Sequence, residues 1–137
     1  MLKKTITYVD YNGTSRTEDY YFNLSKAELL EMELGTAGGM TEALKKISST
    51  KDVPTIAKIF KEMILKAYGE KSPDGKRFIK SEELSTAFSQ TEAYSQLYTE
   101  LLTDADIASE FFIGIIPAEA AKAIKESGEL EAIKAGM

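Results

Sequence analysis

The chain contains neither cysteine nor histidine. Without cysteine it has no disulfide framework and no thiolate zinc site, and there is no thiol from which to read a redox compartment. Without histidine it lacks the side chain that most often serves as general base at neutral pH, and with it the usual serine–histidine and cysteine–histidine pairs. Serine or lysine chemistry stays formally open. Long apolar runs are missing as well. The longest, Phe111 to Pro117, is far shorter than the roughly 18 residues that cross a bilayer. The segment Met1 to Tyr8 starts like a signal peptide, but polar residues interrupt its apolar ones, so neither secretion nor membrane insertion is expected. An excess of positive charge is also lacking: the net charge is -5 and the lysines are scattered, which argues against a nucleic-acid partner.

The glycine patterns of nucleotide sites are missing. Gly35-Thr36-Ala37-Gly38-Gly39 is glycine-rich, but it lacks the preceding strand and following lysine of a phosphate cradle and reads as a hinge. Asp104 with Asp106 is the tightest aspartate pair. It is too sparse for a calcium loop and reads as a helix cap beside a solvated acid, while Asp74-Gly75 reads as a turn. No cofactor or metal is expected.

What is present is the patterning of one small α+β domain, mainly helical, in which an N-terminal β-hairpin joins a helical bundle. The expected domain covers residues 1–128, with a hairpin over 3–22, helices over 26–127 and a flexible tail over 129–137. Ile6 and Tyr8 alternate with polar residues, Tyr20 and Phe22 answer on the return strand, and Asn12-Gly13 between them predicts a two-residue type I′ turn. Ser25-Lys26-Ala27-Glu28 has capping-box spacing and opens a helix to about Leu34, followed by a joint at 35–39 and a short helix near 41–48. Asp52-Val53-Pro54 starts the strongest periodic segment, in which Val53, Ile56, Ala57, Phe60, Met63, Ile64 and Ala67 form one stripe and Gly69 marks the stop. Ser72-Pro73-Asp74-Gly75 predicts a turn before the extended piece Arg77-Phe78-Ile79. Ser81 and Thr91 each sit where a helix should begin, Asp104 closes the helix after Thr91 or caps another, Pro117 forces a break, and Ala118 to Ser127 has high helix propensity.

Two groups of residues are candidates for contact with other proteins. Tyr8, Tyr11, Tyr20 and Tyr21 cluster in the hairpin, where cross-strand packing and interface use are the competing readings. Tyr94, Tyr98, Phe111, Phe112, Ile115 and Ile116 lie in the later helices and pose the same choice between core and partner patch. The hairpin edge could also recruit a strand from a partner or from another copy, so a homo-oligomer is possible.

The run Phe22-Asn23-Leu24-Ser25-Lys26-Ala27-Glu28-Leu29 behind the hairpin, the helix end Ala67-Tyr68-Gly69 and the stretch Phe78-Ile79-Lys80-Ser81 form a pattern. It continues through Phe88, Thr91, Ala93-Tyr94, Leu97, Ala108 and Phe111-Phe112 to Gly114-Ile115-Ile116-Pro117. This pattern resembles the tail assembly chaperones of long-tailed phages and prophages of Gram-positive bacteria. The resemblance implies a cytoplasmic assembly factor, absent from the finished virion, that binds the tape measure protein and helps recruit tail tube subunits. Some such families also make a longer form by frameshifting, which a loose tail at 129–137 would suit. A virion structural protein that oligomerises through its hairpin is the alternative.

Overall fold

The computed structural model describes residues 1–35 and 52–127. The short helix expected near 41–48, the joint beyond Gly35 and the tail at 129–137 lie outside the described residues. Among the described residues, six helices accompany an N-terminal antiparallel strand pair, so the expected α+β class holds.

Strand β1 (Leu2–Val9) pairs with β2 (Ser15–Phe22) in a register that sets Leu2 opposite Phe22, Ile6 opposite Glu18 and Tyr8 opposite Arg16. The turn differs from expectation. A type I′ turn needs two consecutive residues with positive φ, but only Gly13 has one here (φ +81°), and no non-glycine residue among those described does. The loop instead holds three residues, closed by Gly13 N–H to Asp10 O and Asp10 N–H to Thr14 O, both 2.9 Å. The Asp10 carboxylate explains the preference. It accepts the N–H groups of Asn12 and Thr14 at 2.9 Å each and ties down Arg16 at 2.5 Å. Aspartate supplies local bonds of this kind in place of a tighter backbone turn.

Helix α1 (Lys26–Gly35) opens with the predicted capping box: Ser25 Oγ accepts Glu28 N–H at 3.1 Å, and Glu28 Oε1 accepts Ser25 N–H at 2.9 Å. Of the stripe read from the sequence, helix α2 (Val53–Ala67) buries Ile56, Phe60, Met63, Ile64 and Ala67; Ala57 is only half-buried, and Val53, in the first turn, stays 66% exposed. Gly69 does not terminate it. The chain passes from Ala67 directly into β3 (Tyr68–Lys71), which pairs with the end of β2 at Tyr21–Gly69 and Phe22–Tyr68. Strand β4 (Phe78–Ile79) then returns alongside β3, giving a sheet in the order β1-β2-β3-β4. Gly69 is required for close approach: a β-carbon there would lie 2.7 Å from the Ile79 carbonyl oxygen and 2.7 Å from the Phe78 ring.

Helices α3 (Glu82–Ser89), α4 (Glu92–Thr103), α5 (Ala105–Ile115) and α6 (Ala118–Ser127) follow. Ser81, Thr91 and Asp104 cap the first three through side-chain oxygens, as their positions predicted. Helices α4 and α5 pack on β1, and α4 also packs on α2. The core is strongly aromatic. Phe22, fully buried, lies 5.8 Å from Tyr68, 5.7 Å from Phe88 and 5.3 Å from Phe111 between ring centroids. The next two residues continue the junction: Asn23 N–H bonds Ala67 O at 2.8 Å, and Leu24 N–H bonds Ile115 O at 2.5 Å. These carbonyls end α2 and α5 and would otherwise lack intrahelical partners.

Lys80, just after β4, locks α1 against the sheet by donating to Glu28 Oε2 and to Asn23 O, each at 2.5 Å. Burial opposes ionisation of Glu28, but the Lys80 ammonium and the Ser25 N–H outweigh it and hold the carboxyl below its ordinary range. A depressed folded-state pKa adds stability that is complete above the ordinary carboxylate range and is lost as pH falls through the folded value. Glu28→Gln should therefore lower the Tm most at neutral pH, and its gap from wild type should close in acid. A gap that stays constant across a pH series of thermal melts would contradict this coupling.

Candidate protein-binding surface

The face of the hairpin that carries Ile6 and Phe22 runs from the core toward its tip. Ile6 is buried beneath the helices, but farther along polar groups take over. Tyr8 donates to Glu18 Oε1, and Tyr20 Oη lies 2.9 Å from the same oxygen and 3.3 Å from Tyr8 Oη. The two phenols hold the Glu18 carboxyl below its usual range, Tyr8 contributing most. In return the Glu18 bond raises Tyr8, while burial first and then these same bonds raise Tyr20. Both tyrosines therefore stay protonated donors throughout the neutral range. Arg16 completes the row, 3.8 Å from Glu18.

The structure thus sorts the candidate residues. Tyr11 at the turn is 76% exposed, and the Glu92 carboxylate facing its hydroxyl raises its pKa. Tyr21 lies on the opposite face of β2, half-buried, with the Lys71 ammonium 4.4 Å from its ring centroid. Tyr8 and Tyr20 are half-buried, with Tyr20 packed on Phe88 at 5.2 Å. Tyr94 and Tyr98 stack on one another at 5.6 Å, and Tyr98 Oη donates to Ala57 O at 3.2 Å, so the polar tip of Tyr98 joins α4 to α2. Phe111, Phe112, Ile115 and Ile116 are buried to within 5% of full exclusion from solvent. In this conformation they hold the fold and offer no area to another chain. Asp104 is a helix cap, accepting from Asp106 and Ile107 N–H, and Asp74 closes its turn by accepting from Ser72 Oγ and Lys76 N–H.

Sequence reasoning missed Glu18, on which the two phenols converge, and the strand Tyr68–Lys71, which meets β2. A signal for the second was present. A four-residue turn at 72–75 between two short extended pieces reads as a hairpin, once Tyr68 is allowed to start a strand immediately behind a helix.

Among the described residues no group of acidic side chains could hold a metal ion, and no helix is long and apolar enough to cross a membrane. Fold and surface together define a small α+β protein whose polar side chains close turns, cap helices and tie elements together, and whose hairpin presents tyrosines at and beyond the edge of the core. Its family follows from its sequence: the model of the phage tail assembly chaperones matches residues 1–135, and the chain belongs to that family. No curated protein and no solved structure gives a significant match.

The burial of Phe111 and Phe112 has a direct consequence. Truncating a buried phenylalanine removes about 3–5 kcal/mol, from a total stability of about 5–15 kcal/mol for a domain. Replacing both with serine should leave the chain unfolded by circular dichroism. A double variant that keeps a native spectrum and a cooperative melt would show that these rings are dispensable to the core.

Proposed function

We propose that this chain holds the tape measure protein and tail tube subunits during tail morphogenesis, in the cytoplasm of the infected bacterium, and leaves before the particle is complete. Membership of the tail assembly chaperone family over nearly the whole chain is the observation that carries this reading. A chaperone of this kind does no bond chemistry. It covers apolar stripes of its client until the permanent partner replaces it, and so keeps exposed helices from aggregating.

The hairpin is the part of the chain suited to that contact. Tyr11 is exposed and Tyr21 half-exposed, and both stand clear of the Phe22 cluster. Tyrosine brings large apolar area with a polar tip, which favours interfaces that must form and then release. Phe111, Phe112, Ile115 and Ile116 contribute from beneath, by fixing the platform on which the hairpin rests.

Co-expression with the tail proteins, followed by affinity capture on the chain, tests this reading. The wild type should retain the tape measure protein. The pair Tyr11→Ser and Tyr21→Ser should weaken retention by about tenfold, the loss of one modest hot spot, with the melting temperature little changed. Mass spectrometry of purified particles should find the chain missing. Its presence there in stoichiometric amount would make it a structural component instead.

A further inference from the structure

The sheet forks. Strand β2 is eight residues long, but β3 meets it only at Tyr21 and Phe22 and from Glu70 onward pairs with β4 instead. The divergence starts at Gly69, where the Phe78 ring and the Ile79 carbonyl fill the place a side chain would take. A cleft of about 500 Å³ opens between Glu18–Tyr21 on one wall and Tyr68–Lys71 on the other.

The hairpin ladder shows which main-chain groups face that cleft. Bonded and non-bonded pairs alternate along an antiparallel ladder, and the bond from Asp10 N–H to Thr14 O sets the phase. The even-numbered residues of β2 therefore turn their N–H and C=O groups toward β1, and the odd-numbered ones turn theirs away. Tyr21 meets Gly69. Among the described residues, no strand pairs with the outward groups of Thr17 and Asp19. Unpaired edge groups of this kind are a template for an added strand.

The walls select its charge. Glu18 stands on the core-side face of β2, Asp19 on the other face beside Thr5, and Glu70 on the opposite wall. Of the nearby cations, Lys71 sits over the Tyr21 ring, and Arg16 is tied to Asp10 at 2.5 Å and reaches Glu18 only at 3.8 Å. A strand laid along β2 would thus meet a carboxylate on each of its faces, in a chain whose net charge is -5.

We infer that the fork between β2 and β3 binds an extended, lysine- or arginine-bearing segment of another protein, which adds to the sheet along Thr17 and Asp19. Only the identity of the bound protein as a tail-assembly client rests on the function proposed above. Backbone pairing supplies affinity without reading sequence, and the acidic walls choose basic segments.

The probe is a decapeptide of lysine, threonine and valine, titrated into the full chain labelled for NMR. Shifts should concentrate at Thr17, Asp19 and Glu70, amide exchange at Thr17 and Asp19 should slow, and glutamate in place of lysine should abolish both. Thr17→Pro removes an outward N–H and no backbone bond to β1, giving up there only the exposed hydroxyl contact with Thr7 at 3.0 Å, and proline is tolerated at such edge positions. It should weaken binding by about tenfold, the worth of a strong hydrogen bond, while the melt stays cooperative. If that variant fails to fold, the wild type with a peptide N-methylated at alternate residues should show the same loss.

Shifts confined to other surfaces, no binding at millimolar peptide, or full binding by the N-methylated peptide would overturn the inference. So would self-association that Thr17→Pro disrupts while the peptide fails to bind, since the occupant would then be a second copy. A chain that binds the peptide at this edge but captures no tail protein would uphold the fork and defeat the proposed function. The reverse pattern would defeat the fork alone.

Discussion

Three consecutive residues, Phe22, Asn23 and Leu24, hold the molecule together. The Phe22 ring meets Tyr68, Phe88 and Phe111, which come from three other elements, while the next two N–H groups bond the closing carbonyls of α2 and α5. An isolated hairpin is marginal in water. Here its second strand ends inside the aromatic cluster and its backbone completes two helix termini, so hairpin and helices stabilise each other. Lys80 reinforces the same point by bonding Asn23 O and the Glu28 cap together. Everything the hairpin presents outward depends on this anchor.

That dependence separates two roles that amino-acid type alone does not distinguish. Phe111, Phe112, Ile115 and Ile116 look in sequence as suited to a partner as Tyr11 and Tyr21 do. Burial assigns the first four to the platform and leaves the tyrosines at or near the surface. The half-buried Tyr8 and Tyr20 lie between, their rings near the core and their hydroxyls turned to Glu18. A family that works by contact leaves few fixed chemical signatures, because area and edge geometry are distributed over many side chains.

Much of the fold was legible because its local signals agree with its packing. The capping box at Ser25, the caps at Ser81, Thr91 and Asp104, the stripe of α2 and the break at Pro117 all stand where the sequence put them. The unread parts were set by long-range contact or by competing local bonds. Asn12-Gly13 suits a two-residue turn, but Asp10 and its three bonds favour a longer one. Gly69 looks like a helix stop because the reason for it, the approach of Phe78 and Ile79, lies farther down the chain, beyond the turn at 72–75. The fork was invisible for the same reason, since it exists only where β3 leaves β2.

In the function proposed above, the chain keeps a tail protein usable by covering it. The most direct measurement is the fraction of tape measure protein that stays in the supernatant after centrifugation when it is made with and without this chain. The account predicts a client that pellets alone and stays soluble in a complex with the chain. A client equally soluble, or equally aggregated, in both cases would contradict it.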